Sequence, residues 1–122
     1  MEFEKKGLIY IADDRPLIRL LLREFFNDNF LYNVKEYANG KELEEALRTR
    51  NSNLRLVITD NNMPEINGLD VIKRWHLEYP KVPFILMSGY NIRNAAFEAG
   101  AKDFIEKPFS LDPVKPTLKK YL

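Results

Sequence analysis

The chain has 122 residues, 45% hydrophobic and 30% charged, the size and make-up of one globular domain with a core of its own. Nineteen basic against eighteen acidic residues leave a net charge of +1, which offers no footprint for nucleic acid, a membrane surface or a polyanion. With no cysteine, disulfides, thiolate zinc sites and thiol nucleophiles are excluded, and a lone histidine, His76, excludes sites built on two histidine ligands. The N-terminal MEFEKKG carries acids and is followed by only a short apolar run, so it does not read as a secretory leader. No apolar run is long enough to cross a bilayer. The expected location is the cytoplasm.

Leu8–Ala12 is a continuous apolar run, as in a strand buried on both faces. Asp14 to Asn29 places Leu17, Ile18, Leu21, Leu22, Phe25 and Phe26 on one helical stripe, with Pro16 in the first turn, where proline is tolerated. Tyr32–Tyr37 is a weaker strand whose Lys35 and Glu36 suit a sheet edge. Asn39-Gly40 opens a second helix to about Arg50, with Leu43, Ala46 and Leu47 facing inward. Leu54–Thr59 is a further buried strand. A third helix spans Asn67 to Glu78 and is stopped by Pro80. Val82–Met87 is the next strand, Arg93–Ala99 a short helix closed by Gly100, and Lys102–Glu106 the last strand. The final helix contains Pro113 and Pro116. The second removes an interior donor, so the regular helix is expected to begin only near Pro116 and to be short. Strands alternating with helices in this way predict a parallel sheet covered on both faces.

In such sheets function gathers at the carboxyl ends of the strands, near the point where strand order reverses. Asp13 and Asp14 follow the first strand, Asp60 the third, Ser88 the fourth and Lys107 the fifth. The second strand ends in Tyr37, Ala38 and Asn39, with nothing reactive. Each motif alone has a plainer reading: a helix cap, a turn, a surface lysine. Those readings do not explain why the reactive groups converge on one edge. Three close carboxylates call for a cation, and hard oxygen donors suit Mg²⁺. A carboxylate can also be a nucleophile toward phosphorus. The metal and Lys107 would then neutralise the phosphoryl oxygens, and Ser88 would donate a hydrogen bond to one of them. Trp75 reads as a half-buried helix residue and His76 as exposed. Lys115, Lys119 and Lys120 read as a solvated face.

The segments Ile11-Ala-Asp-Asp14, Val57-Ile-Thr-Asp-Asn-Asn-Met-Pro64 with Gly68, Leu86-Met-Ser-Gly89 and Gly100-Ala-Lys-Asp-Phe-Ile-Glu-Lys-Pro-Phe109 together resemble the receiver domain of response regulators, the phosphoacceptor module of two-component signalling. The resemblance runs from about Leu8 to Leu122. It implies an α/β, flavodoxin-like (βα)5 three-layer sandwich with sheet order 2-1-3-4-5. It also implies roles by position: Asp60 as phosphoacceptor, and Asp13 and Asp14 as holders of Mg²⁺ together with Asp60 and the backbone carbonyl of Asn62. Ser88 and Lys107 would contact the phosphoryl group. Phe104 takes the place of the aromatic switch that turns inward when Ser88 moves. Asn62 and Tyr90 would set the lifetime of the acyl phosphate. The implied donor is a sensor histidine kinase or phosphotransfer protein, and the implied output is contact with an unknown downstream protein.

The segment from Ser88 to Gly100 is about three residues shorter than usual for the family, close to one helical turn. The fourth-helix region must be shortened, and with it the usual signalling face. The expectation is a stand-alone receiver over residues 1–122 with no output domain, and not a conventional enzyme. Two other functions compete with it. A pseudo-receiver would bind partners without phosphorylation. A Mg²⁺-dependent phosphatase with an aspartyl nucleophile usually needs a second aspartate two positions on, where this chain has Asn62.

Overall fold

The structure, a computed structural model, describes residues 7–29 and 32–122. The MEFEKK segment, read above as no secretory leader, lies outside the described residues. Strands β1 (Gly7–Ala12), β2 (Tyr32–Tyr37), β3 (Leu54–Asp60), β4 (Phe84–Ser88) and β5 (Asp103–Glu106) form one parallel sheet in the order β2-β1-β3-β4-β5. Helices α1 (Pro16–Asn29), α2 (Gly40–Arg48), α3 (Gly68–Trp75), α4 (Arg93–Ala99) and α5 (Leu111–Lys119) connect and follow the strands. Class, sheet order and the shortened fourth helix match the expectation.

The continuous apolar runs become strands because each face of the sheet has its own helical cover. Ile9, Ile11, Leu56, Ile58 and Ile85 point to one side and pack against Leu22, Phe25 and Phe26 of α1 and Val114 and Leu118 of α5. Leu8, Tyr10, Val57 and Leu86 point to the other and meet Leu43 and Leu47 of α2, Val71, Ile72 and Trp75 of α3, and Ala96 and Ala99 of α4. The large side chains among them that are fully buried, such as Ile9, Leu22, Phe26 and Ile58, each contribute about 1.5–3 kcal/mol relative to exposure. The alternation of period two along β1 splits its apolar residues between two cores. The edge strand β2 is only partly buried.

Most boundaries agree with the sequence expectation to within two residues, and three that differ have a local cause. Helix α5 begins at Leu111, not near Pro116. First-turn N–H groups have no carbonyl partner inside a helix, so Pro113 costs nothing there. Pro116 removes only its bond to the Asp112 carbonyl, and both residues lie on the exposed side, where water can meet that oxygen. Val114 and Leu118, one turn apart, anchor the opposite side. Helix α3 stops at Trp75, not Glu78: the Glu78 N–H reaches back to the Trp75 carbonyl at 3.0 Å, a tighter turn, and Pro80 bars Tyr79 from continuing the helix. Strand β4 starts at Phe84 rather than Val82, after Pro83, which has no N–H for the ladder.

Candidate functional site

Strand order reverses between β1 and β3, so the crevice at their carboxyl ends is the expected ligand site. A cleft of about 710 Å³ opens there, lined by Asp14, Arg15, Asp60, Asn62, Tyr90 and Lys107 among others.

Asp13 follows β1 and is completely buried. Its backbone N–H donates to the Tyr37 carbonyl of β2 at 3.1 Å. Its Oδ1 accepts from the Arg15 N–H at 2.9 Å, and its Oδ2 from Lys107 Nζ at 2.6 Å. Arg19, one turn into α1, donates to the Asp13 carbonyl at 2.6 Å and stands 3.4 Å from Glu36 of β2. This buried carboxylate is therefore fully partnered, as burial demands. Asp14, next in the chain, is exposed at the cleft.

Asp60 is the last residue of β3 and is 4% exposed. Lys107 Nζ lies 3.2 Å from its Oδ1. Burial raises the Asp60 carboxyl above its ordinary range, the charges of Asp13 and Asp14 add to the rise, and Lys107 opposes it. One carboxylate oxygen from each of Asp13, Asp14 and Asp60 lies within 4.8 Å of the others. A set of hard oxygen donors so close and so rich in negative charge fits a small divalent cation such as Mg²⁺.

The loop after Asp60 is held by Asn61, to which the sequence reading assigns no role. Its N–H donates to the Met87 carbonyl of β4 at 2.9 Å, its carbonyl accepts from the Gly68 N–H at 3.1 Å, and its Oδ1 accepts from the Leu69 N–H at 3.0 Å. Asn67 caps α3 by accepting from the Asp70 N–H at 2.8 Å. Asn61 thus ties the end of β3 to β4 and to the start of α3. No periodicity marks such a residue; only its place beside Asp60 hints at it. Arg19 was likewise missed, because it sits off the apolar stripe that identifies α1.

Ser88 closes β4 and is fully buried, its Oγ accepting from the Tyr90 N–H at 3.0 Å. Across the sheet it pairs with Glu106, and its carbonyl accepts from the Lys107 N–H at 2.8 Å. The Lys107–Pro108 peptide is cis. Tyr90 is 68% exposed at the cleft, and Asn62 is exposed beside it. Phe104 stands apart: it belongs to β5, is buried on the side of α2, α3 and α4, and has the Arg93 guanidinium 5.3 Å from its ring centre. The structure therefore brings Asp13, Asp14, Asp60 and Lys107 together, places Asn62 and Tyr90 on the same cleft, and leaves Phe104 in the core. Trp75 is buried, and His76 is half-buried rather than exposed, because its ring lies over Gly100.

No helix among the described residues is long and apolar enough to cross a membrane. The chain is 31% identical over 117 residues to sporulation initiation phosphotransferase F of Bacillus subtilis, covering 93% of this chain and 92% of that protein. It is 32% identical to the 3',5'-cyclic-nucleotide phosphodiesterase regA of Dictyostelium discoideum, where 96% of this chain covers only 15% of the larger protein. Its fold matches that of the response regulator protein TrrA of Thermotoga maritima in complex with Mg(2+)-BeF, with a TM-score of 0.80, 30% identity, and coverage of 95% of this chain and 99% of that one. The response regulator receiver domain model matches residues 9–119. With its acidic pocket fitted to a phosphorylation site, the chain belongs to the response regulator receiver domain family, a module of two-component signalling.

Proposed function

We propose that Asp60 is the phosphoacceptor of this receiver and that the phosphoryl group comes from a sensor histidine kinase or phosphotransfer protein. The observation that carries the reading is the meeting of Asp13, Asp14 and Asp60 within 4.8 Å of one another, with Lys107 Nζ 3.2 Å from Asp60. In the transfer, an Asp60 carboxylate oxygen forms the new P–O bond as the donor's P–N bond breaks, and the imidazole leaves with its electron pair. Asp13, Asp14, Asp60 and the Asn62 carbonyl would hold Mg²⁺, which supplies a Lewis acid against the charge on the phosphoryl oxygens. Lys107 neutralises a further oxygen, and the Ser88 hydroxyl donates to another.

Tyr90 and Asn62 flank the cleft and set the lifetime of the acyl phosphate by governing the approach of water. Tyr90→Ala is expected to change the dephosphorylation rate, and an unchanged rate removes Tyr90 from this role. Phe104 and Ser88 act as the switch that carries the signal to a downstream protein in the cytoplasm. Beyond self-phosphorylation and slow self-dephosphorylation, the chain is not a conventional enzyme.

The test is intact-mass spectrometry after incubation with Mg²⁺ and acetyl phosphate, with Asp60→Asn alongside. One Mg²⁺-dependent phosphoryl adduct, absent in the variant, is expected. No adduct, with no binding of beryllofluoride either, would leave the phosphorylation-independent interaction module.

A further inference from the structure

Asp14 and Asp60 line the cleft with Lys107, the Asp13 carboxylate lies buried behind them, and the Lys107 ammonium is committed. Lys107 Nζ is 2.6 Å from Asp13 and 3.2 Å from Asp60, with its side chain only 13% exposed. A phosphodonor approaches as an anion, so the charges at the mouth of the cleft act on it before its phosphorus reaches Asp60. Arg15 is the other cationic side chain on the cleft. Its backbone is fixed, because its N–H donates to Asp13 Oδ1 at 2.9 Å. Its side chain is exposed and forms no ion pair or hydrogen bond among the described residues. A guanidinium cannot lose its charge near neutral pH and presents a planar fork that matches phosphate oxygens.

We infer that Arg15 is a phosphodonor-specificity residue, drawing doubly negative small phosphodonors such as acyl phosphates to the mouth of the cleft. This rests on the phosphoacceptor reading of Asp60. Arg15 takes no part in bond making. Its charge adds to the pull on the donor at the mouth of the cleft, and so raises the rate at which donor is captured. Across a solvent-filled gap, one unit charge acting on a dianion changes that rate by about fivefold at low salt. The effect fades as salt rises and shrinks for a donor of lower charge.

The experiment follows initial rates of adduct formation by intact mass for wild type, Arg15→Ala, Arg15→Lys and Arg15→Glu, each with Mg²⁺. Acetyl phosphate, a dianion, is compared with phosphoramidate, which carries less net negative charge, at low and high salt. With acetyl phosphate at low salt, Arg15→Ala is expected to slow capture by about fivefold, Arg15→Glu by more, and Arg15→Lys by less than about twofold. With phosphoramidate, or at high salt, the differences should fall to about twofold or less. Equal rates in Arg15→Ala and wild type would overturn the inference. So would an equal loss with both donors that salt does not change, since that marks a disturbed loop. A wild-type chain that forms no adduct on Asp60 overturns the phosphoacceptor reading, and this inference with it.

Discussion

Gly68 lies against Asp60. A Cβ added to Gly68 would stand 2.3 Å from the Asp60 carbonyl oxygen and 2.9 Å from a methyl of Leu86. The first helical residue of α3 is thus in contact with the main chain that carries the candidate phosphoacceptor. Neither neighbour is free to move away: one is backbone in the sheet, and the other is a fully buried side chain.

Gly68→Ala is therefore expected to push the end of β3 out of place. Overpacking of this kind costs about 1–3 kcal/mol. Misplacing the reacting oxygen by a fraction of an ångström should slow adduct formation by about tenfold or more. A thermal melt and an intact-mass time course check both, and wild-type values in both would remove Gly68 as a positioning residue.

Asp60→Asn should stabilise the metal-free chain. Burial and the Asp13 charge both disfavour the Asp60 carboxylate, and an amide removes that charge. A gain of about 1 kcal/mol corresponds to a rise in Tm of about 3–6 °C for a chain of this size. Mg²⁺ should raise the Tm of the wild type by binding only the folded state, with about 1.4 kcal/mol at ten times Kd, and should do less for the variant. A variant that melts below the metal-free wild type would contradict this account.

Glu44 is a third buried carboxylate, remote from the cleft. Its oxygens accept from Arg74 at 3.1 and 3.2 Å and from Trp75 Nε1 at 2.9 Å, with Arg48 at 3.6 Å, which ties α2 to α3. Glu44→Ala strands the indole donor and costs about 2–4 kcal/mol. Glu44→Gln keeps an acceptor for the indole and should cost less. Denaturant melts order the two, with Trp75 as the fluorescent reporter, since it is the only tryptophan.

Three phenols, those of Tyr37, Tyr79 and Tyr121, are set to ionise late, Tyr79 chiefly through burial. Burial, with Tyr10 beside it, pushes Tyr37 up to about 12, and burial with the Asp103 carboxylate does the same for Tyr121. The ordinary value is 10.0, so each group holds its proton longer in the folded chain than in the unfolded one. The contribution of Tyr37 and Tyr121 to stability is complete below about pH 10 and is lost as pH rises through about 12. An ultraviolet titration of the six tyrosines should show a late fraction that shrinks in Tyr37→Phe.

Local pattern makes most of the fold legible in the residues themselves. The two-faced runs at Leu8–Ala12 and Leu54–Thr59 have no other stable use than interior strands, and the stripe from Leu17 to Phe26 has only one helical side. Asp13, Asp14, Asp60 and Lys107 were legible because each stands at or just past the carboxyl end of a strand. The start of α5 was not, because the cost of Pro116 depends on whether the freed Asp112 carbonyl meets water. The partnership of Glu44 with Trp75 was not either: on a helix rich in charge a glutamate reads as solvated, and only the approach of α3 buries it. Asn61 and Arg19 act through main-chain atoms of other elements, which no pattern in the residues themselves encodes.

The bond from the Lys107 N–H to the Ser88 carbonyl joins two peptide groups, not two side chains. It is the rung just past the last pair of the β4–β5 ladder. The two residues proposed to grip the phosphoryl group are thus roped together behind their functional atoms, and neither backbone can shift without tugging the other. Side-chain replacement at either position alters the grip and leaves the rope whole. Cutting it requires a change in the main chain itself, such as an ester in place of the Lys107 amide.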